Sequence, residues 1–216
     1  MVHVKVCCIA STAEAELAKQ YGAHALGFVS KMPAGDRWIS DEQIQTIIAA
    51  HSDINRFLLT CQTDSAAIRR HLLKVGADTI QLVNELEISA LSALRNSLVE
   101  TSIVQVIHVT GPEAVNNALR IESYVDAIVL DSGNLGGPTP SFGGTGSTHD
   151  WDISAKIVSG VNCPVFLAGG LGPDNVVEAI HHVQPYGVDI CSGLRIQGKL
   201  DETLVANFFE AVASAS

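Results

Sequence analysis

An α/β fold of the (β/α)8 TIM-barrel type is what this sequence predicts, on three observations. Short apolar runs rich in β-branched residues alternate with helix-length segments from one end to the other. Eight such units can be counted in 216 residues, which suits a compact closed barrel better than an open sheet plus a second domain. One turn recurs where helix gives way to strand: Tyr21-Gly22-Ala23-His24, Val75-Gly76-Ala77-Asp78 and Tyr186-Gly187-Val188-Asp189.

The strand candidates fall at about 2–7, 24–29, 55–61, 78–83, 102–108, 125–131, 164–168 and 186–191. Between them lie helix signals. Ser40-Asp41-Glu42-Gln43 fits a capping box before the apolar face of Ile44, Ile47 and Ile48, and Pro173 stands near the start of a helix holding Val176, Val177 and Ile180. The glycines of the recurring turn, Gly22, Gly76 and Gly187, are read as left-handed helix C-caps. A doubly wound sheet is the structural alternative, but no strand is followed by a complete G-x-G-x-x-G fingerprint, and Gly144-Thr145-Gly146 is only a fragment of one.

Residues 1–216 are read as a single domain, since the length fills one core but not two plus a linker. A hydrophobic fraction of 47% against 17% charged residues argues for a folded chain. The apolar runs are far shorter than a membrane span and the N-terminus lacks the regions of a signal peptide, so the expected location is cytoplasmic. The five cysteines, Cys7, Cys8, Cys61, Cys163 and Cys191, have neither disulfide-framework nor paired Cys-x-x-Cys spacing and are expected as free thiols. Eight histidines carry no H-x-H or H-E-x-x-H pattern, so no metal is expected. A net charge of −10 disfavours a nucleic-acid or anionic-membrane surface, and any anionic ligand must be held by local groups.

In a (β/α)8 barrel, chemistry gathers where strands end and helices begin. Four strand ends stand out. Leu167-Ala168-Gly169-Gly170-Leu171-Gly172 and Cys191-Ser192-Gly193 follow the last two strands, the usual phosphate position, where glycines admit close backbone approach and N–H groups point at the ligand. The phosphate reading is favoured over glycines that merely make tight turns. Cys7 shares a strand face with Lys5; it is a base or nucleophile, or a small buried hydrophobe, and the residues alone favour the second, the commoner role of a free cysteine. Asp131 ends Ala127-Ile128-Val129-Leu130-Asp131 at the rim of the core, where partial desolvation raises a carboxyl pKa and suits it to donate a proton; the alternative is a loop cap. Behind it, residues 131–150 hold Gly133, Gly136, Gly137, Gly143, Gly144 and Gly146, too long a stretch for an ordinary connection: a mobile lid or a flexible insertion. Arg37, beside Trp38, could bind a carboxylate bidentately or stand solvated on the surface.

At these residues the sequence resembles the phosphoribosylanthranilate isomerase family of tryptophan biosynthesis. The likeness runs over nearly the whole chain through Lys5-Val6-Cys7, Gly27-Phe28-Val29, the Arg37 loop ending in Ile39-Ser40, Leu130-Asp131, Gly143-Gly144-Thr145-Gly146 with Asp150-Trp151, Ala168-Gly169-Gly170-Leu171 with Pro173-Asn175-Val176, and Val188-Asp189 leading into Ser192-Gly193. The resemblance implies a (β/α)8 barrel that converts N-(5′-phosphoribosyl)anthranilate into an open-chain aminodeoxyribulose phosphate without a cofactor. It implies Asp131 as general acid, Cys7 as general base, Arg37 on the anthranilate carboxylate, and backbone N–H groups around Gly169, Gly170, Ser192 and Gly193 on the phosphate. The expected partner is a phosphorylated small molecule, with the chain a monomer or homodimer.

The chain also departs from the family. Cys7-Cys8-Ile9-Ala10 stands where the family usually has Cys-Gly-Ile-Thr, an expected change of turn beside the base. Gln81-Leu82-Val83-Asn84 replaces Gln-Leu-His-Gly, and Leu59-Thr60-Cys61-Gln62-Thr63 differs as well. Two other readings follow from these changes: a paralogous isomerase of another phosphosugar, and a non-catalytic barrel that binds a phosphorylated metabolite.

Overall fold

The parity of each strand decides which of two cores its side chains enter. A computed structural model describes residues 1–32, 37–133 and 149–215. Among them, β1 (His3–Val6), β2 (Ala25–Val29), β3 (Asn55–Thr60), β4 (Thr79–Leu82), β5 (Ser102–His108), β6 (Ala127–Asp131), β7 (Val165–Leu167) and β8 (Gly187–Ile190) pair in parallel, in chain order, and β8 closes back on β1. All eight strands stand within two residues of their expected bounds. Residues of one parity, such as Ala25, Phe57, Val104, Val129 and Phe166, pack inside the barrel. Their neighbours, such as Val4, Leu26, Leu58, Ile80, Ile128 and Val188, pack outward against the helices. Both faces are buried, so the strands read as continuous apolar runs.

The outer layer comprises α1 (Thr12–Gln20), α2 (Asp41–Ala50), α3 (Ser65–Val75), α4 (Ile88–Ser97), α5 (Glu113–Ile121), α6 (Trp151–Gly160), α7 (Val176–Val183) and α8 (Glu202–Ser214). Polar caps start several of them. Ser40 and Gln43 form the expected reciprocal box, and the side chains of Ser11, Asp64, Asp150 and Asp201 accept from first-turn N–H groups. The C-cap expectation holds at Gly22 and Gly76, with φ of 98° and 83°, but not at Gly187. There the left-handed residue is Gln184, φ 52°, three positions earlier. Gly187 is instead the first residue of β8, where a Cβ would lie 2.6 Å from the Phe166 ring and 2.8 Å from the His3 carbonyl oxygen. Its glycine answers to close packing, not to turn geometry.

That packing belongs to an aromatic floor at the N-terminal end of the barrel. Tyr186 stacks on His3 at 4.4 Å and meets Phe166 edge-on at 5.4 Å, and Phe166 in turn meets Phe57 at 6.5 Å. Above this floor lies the fully buried Lys5. Its ammonium donates to Asp189 Oδ2 at 2.7 Å and sits 5.3 Å from the centroid of the Phe57 ring. Lys5 and Asp189 are register partners on β1 and β8, so the pair spans the strands where the barrel closes. Two charges withdrawn from water are tolerated because each neutralises the other at contact distance, and removing one partner strands the second. Lys5→Met is therefore expected to destabilise the fold by about 3–5 kcal/mol in urea titration, with Lys5→Met/Asp189→Leu recovering most of the loss. Equal stability of Lys5→Met and the unaltered chain would contradict the role given to the pair.

Candidate active site

Above the ion pair, the C-terminal strand ends open into one cavity whose wall includes Cys7, Cys8, Arg37, Asp131, Asp189, Cys191 and Ser192. Gln81, Val83 and Val106 line its depth, and Ala168, Gly169 and Gly170 line one side. The structure thus brings Cys7, Arg37, Asp131, Gly169, Gly170 and Ser192 to a single pocket. Gly193 lies behind it, against a neighbouring depression that shares Gly170, Leu171 and Ser192.

Lys5 and Cys7 face the same interior space, as their alternation requires. A Cβ on Gly27 would meet Cys7 Sγ at 2.9 Å and Lys5 Nζ at 3.1 Å, so the absent side chain of Gly27 makes room for both. Ammonium and sulfur are consequently within about 6 Å of one another. Burial first, and then the nearby Asp189 carboxylate, push Asp131 up to about 6, against the hydrogen bond that its Oδ1 accepts from Ser132 N at 2.7 Å. Asp131 is half-buried at the end of β6 and can reach the cavity as a protonated carboxyl.

The glycine turns have a tightly held backbone. Gly169 and Gly170 take consecutive positive φ values of 82° and 66° after β7, a conformation open to glycine and costly for other residues. The Asn175 side chain holds this turn, accepting from Gly172 N at 2.9 Å and donating to the Gly170 carbonyl at 3.0 Å. After β8 the chain enters a 3-10 turn, Ser192–Leu194, and a Cβ on Gly193 would collide with the Leu171 carbonyl. The two loops are thereby locked together at the position where a barrel of this kind holds phosphate.

Several site residues carried no signal that sequence reasoning used. Asp189 Oδ1 and Gln81 Oε1 are buried acceptors without a hydrogen-bond partner among the described residues, and both belong to side chains that line the cavity. Their signal was a polar residue at an inward position of an apolar strand. Arg195 donates to the Cys8 carbonyl at 2.7 Å and the Cys7 carbonyl at 3.3 Å, and pairs with Glu14 at 2.9 Å. Glu14 and Arg195 are 181 positions apart, beyond any local pattern. Arg37 is exposed and donates to Cys191 Sγ at 3.3 Å, which places it over the mouth. The cation of Lys31 approaches the Trp38 ring at 5.9 Å. Of the loop expected to act as a lid, residues 134–148 lie outside the described residues. No group of three His, Cys, Asp or Glu among the described residues could hold a metal ion.

A family model described as N-(5'phosphoribosyl)anthranilate (PRA) isomerase matches residues 4–211. The chain belongs to the PRA isomerase family. It is 37% identical over 210 residues to N-(5'-phosphoribosyl)anthranilate isomerase 2 of Methanosarcina mazei, spanning 96% of this chain and 92% of that protein. Over 218 residues it is 35% identical to the N-(5'-phosphoribosyl)anthranilate isomerase of Haloferax volcanii, spanning 100% and 95%. The crystal structure of phosphoribosyl anthranilate isomerase from Thermotoga maritima superposes with a TM-score of 0.85 at 27% identity, covering 99% of this chain and all of that one.

At the first departure from the PRA isomerase pattern, Cys8 stands where the family usually has glycine. Cys8 adopts φ 61°, the left-handed backbone that the family's glycine adopts freely, and Arg195 holds the carbonyls of Cys7 and Cys8 in place. At the other departure, Val83 is buried at the cavity wall, while Asn84 donates to the Cys61 carbonyl at 2.6 Å and ties the third and fourth loops together.

Because the folded site favours the neutral acid, Asp131 is expected to titrate with a midpoint near pH 6, protonated below it and ionised above. Carboxyl carbon shifts of labelled aspartate, assigned with Asp131→Asn, measure this. A midpoint near 4 would remove the basis for a poised acid.

Proposed function

We propose that this barrel isomerises N-(5′-phosphoribosyl)anthranilate to the open-chain 1-(carboxyphenylamino)-1-deoxyribulose phosphate, an aldose-to-ketose rearrangement in tryptophan biosynthesis, with residues 1–216 working as one domain. The observation that carries the reading is the shared pocket: an acid and a thiol at the strand ends, with glycine amides along one side and an arginine at the mouth. No helix of the described residues is long and apolar enough to cross a membrane, consistent with an enzyme acting on a small dissolved metabolite.

In this reading the protonated Asp131 donates to the furanose ring oxygen, so that the C1–O bond breaks as the nitrogen lone pair forms a Schiff base. Ring oxygen is a poor leaving group until it is protonated, and an acid raised to about 6 keeps a protonated fraction near neutral pH that supplies that proton. The iminium then acidifies the C2 hydrogen. Cys7, at the end of β1 in the same pocket, removes that proton, and the resulting enaminol tautomerises to the ketone. Lys5 is a positioning residue here, since it is buried beneath Cys7 and salt-bridged to Asp189.

Backbone N–H groups of Gly169, Gly170, Ser192 and Gly193 hold the phosphate, and Arg37 swings from Cys191 to the anthranilate carboxylate. The free oxygens of Gln81 and Asp189 are acceptors for substrate hydroxyl or amine protons, which would complete their hydrogen bonding. Binding energy at the phosphate end fixes the position of C1 and C2 between the two reacting side chains.

The purified chain is expected to consume the fluorescent substrate and its gene to rescue a tryptophan auxotroph that lacks this step. Cys7→Ser and Asp131→Asn should each lower kcat by on the order of 10²–10⁴-fold while changing KM far less. A chain that binds phosphorylated ligands with unchanged affinity in both variants yet converts none of them would be a binding protein. Turnover of a different phosphoribosyl-amine in preference to this one would mark a paralogous isomerase.

A further inference from the structure

The Cys7 thiol has a role in the proposed reaction, but two further thiols at the mouth do not. Cys8 follows β1 and Cys191 follows β8, the adjacent strands at which the barrel closes, and Cys7 N donates to the Ile190 carbonyl at 2.8 Å, so the two turns run side by side. Both side chains line the cavity and pack against the same interior cluster. The guanidinium of Arg37 contacts Cys191 Sγ at 3.3 Å.

We propose that Cys8 and Cys191 form an oxidisable thiol pair, a modification site for hydroperoxides that closes to a disulfide across the mouth of the barrel. Cys191 is the attacking sulfur. The hydrogen bond from Cys8, with the nearby Arg195 and Arg37, holds its thiol well below the ordinary value against the opposing effect of burial, and the thiolate is the nucleophilic form. Cys8 is the resolving sulfur, kept protonated as the donor of that hydrogen bond. Its backbone is strained at φ 61°, a conformation rarely adopted by a residue with a Cβ, and its side chain lines the same cavity as Cys191.

The chemistry balances with the peroxide as the only co-reactant. The Cys191 thiolate attacks the terminal oxygen of a hydroperoxide ROOH; an S–O bond forms, the O–O bond breaks, and RO⁻ leaves to take up a proton as ROH. Cys8 sulfur then attacks Cys191 sulfur; the S–S bond forms, the S–O bond breaks, and the departing hydroxide leaves with the Cys8 proton as water. Two thiols and ROOH give one disulfide, ROH and water, with two electrons passing from sulfur to peroxide. The closed bridge replaces the Cys191 thiolate that Arg37 contacts with a neutral disulfide sulfur and ties the two turns across the mouth, so the substrate site is obstructed until a thiol reductant reopens it. That last consequence rests on the isomerase reading; the bond itself does not.

The full-length chain, treated with equimolar hydrogen peroxide and then alkylated under denaturing conditions, tests the bond by intact mass. Two of the five free thiols are expected to escape alkylation and to become alkylatable again after dithiothreitol. Cys8→Gly, which suits the left-handed backbone, should abolish the bridge and leave a Cys191 sulfenic acid that dimedone traps, whereas Cys7→Ser should retain the bridge. Alkylation of all five thiols after peroxide, a bridge that persists in Cys8→Gly, or one that vanishes in Cys7→Ser would overturn the proposal. In the unaltered chain, turnover should fall in step with the bridge and return with reductant. A bridge that forms while turnover persists overturns the obstruction, and a bridge in a chain with no turnover at all overturns the isomerase reading alone.

Discussion

The buried ion pair between Lys5 and Asp189 is the constraint on which the rest of this site depends. In a closed barrel, β1 and β8 are the one neighbouring pair that the chain does not connect locally, and here their register places ammonium and carboxylate together at 2.7 Å inside the core. Burial works against a charged lysine, yet the carboxylate beside it outweighs that effect and holds Lys5 in its ionised form, with Cys7 adding to the same direction. The pair therefore sets the strand register at the seam and leaves a positive charge under Cys7. It also leaves one carboxylate oxygen of Asp189 without a partner at the floor of the cavity.

From that seam the two ends of the site differ in kind. The end proposed for phosphate is backbone: consecutive left-handed glycines after β7, a 3-10 turn after β8, and Asn175 bracing the first of them. Such a surface is fixed by steric fit and has few alternatives. The reacting end is side chain: a raised carboxyl at Asp131, a thiol over an ammonium, and an arginine resting on a sulfur. Those groups respond to ionisation, ligand and oxidation. In the proposed reaction, a rigid anion grip would position the substrate while poised groups carry out proton transfer.

Much of this architecture was legible in the residue pattern because its signals are local. Apolar runs bounded by turn residues located all eight strands, the Ser40–Gln43 box located a helix start, and four apolar residues before Asp131 marked a carboxyl at the rim. Gly187 misled because a glycine before a strand looks the same whether it turns the chain or makes room for Phe166. Cys8 gave no local sign of its conformation, since a residue with a Cβ takes a left-handed backbone that its type disfavours. The Lys5–Asp189 pair, the Arg195–Glu14 clamp and the Cys8–Cys191 contact join residues more than 180 positions apart, and only closure of the barrel brings them together.

The central claim is that one pocket grips phosphate with its glycine loops and presents the sugar carbons to Cys7 and Asp131. A crystal structure of the chain with a reduced analogue of the aminodeoxyribulose product tests it most directly. The phosphate oxygens are predicted at about 3 Å from the amides of Gly169, Gly170 and Ser192, the carboxylate at Arg37, and the ribulose chain between Cys7 and Asp131. A ligand seated with its phosphate at Arg37, or outside this pocket altogether, would contradict it.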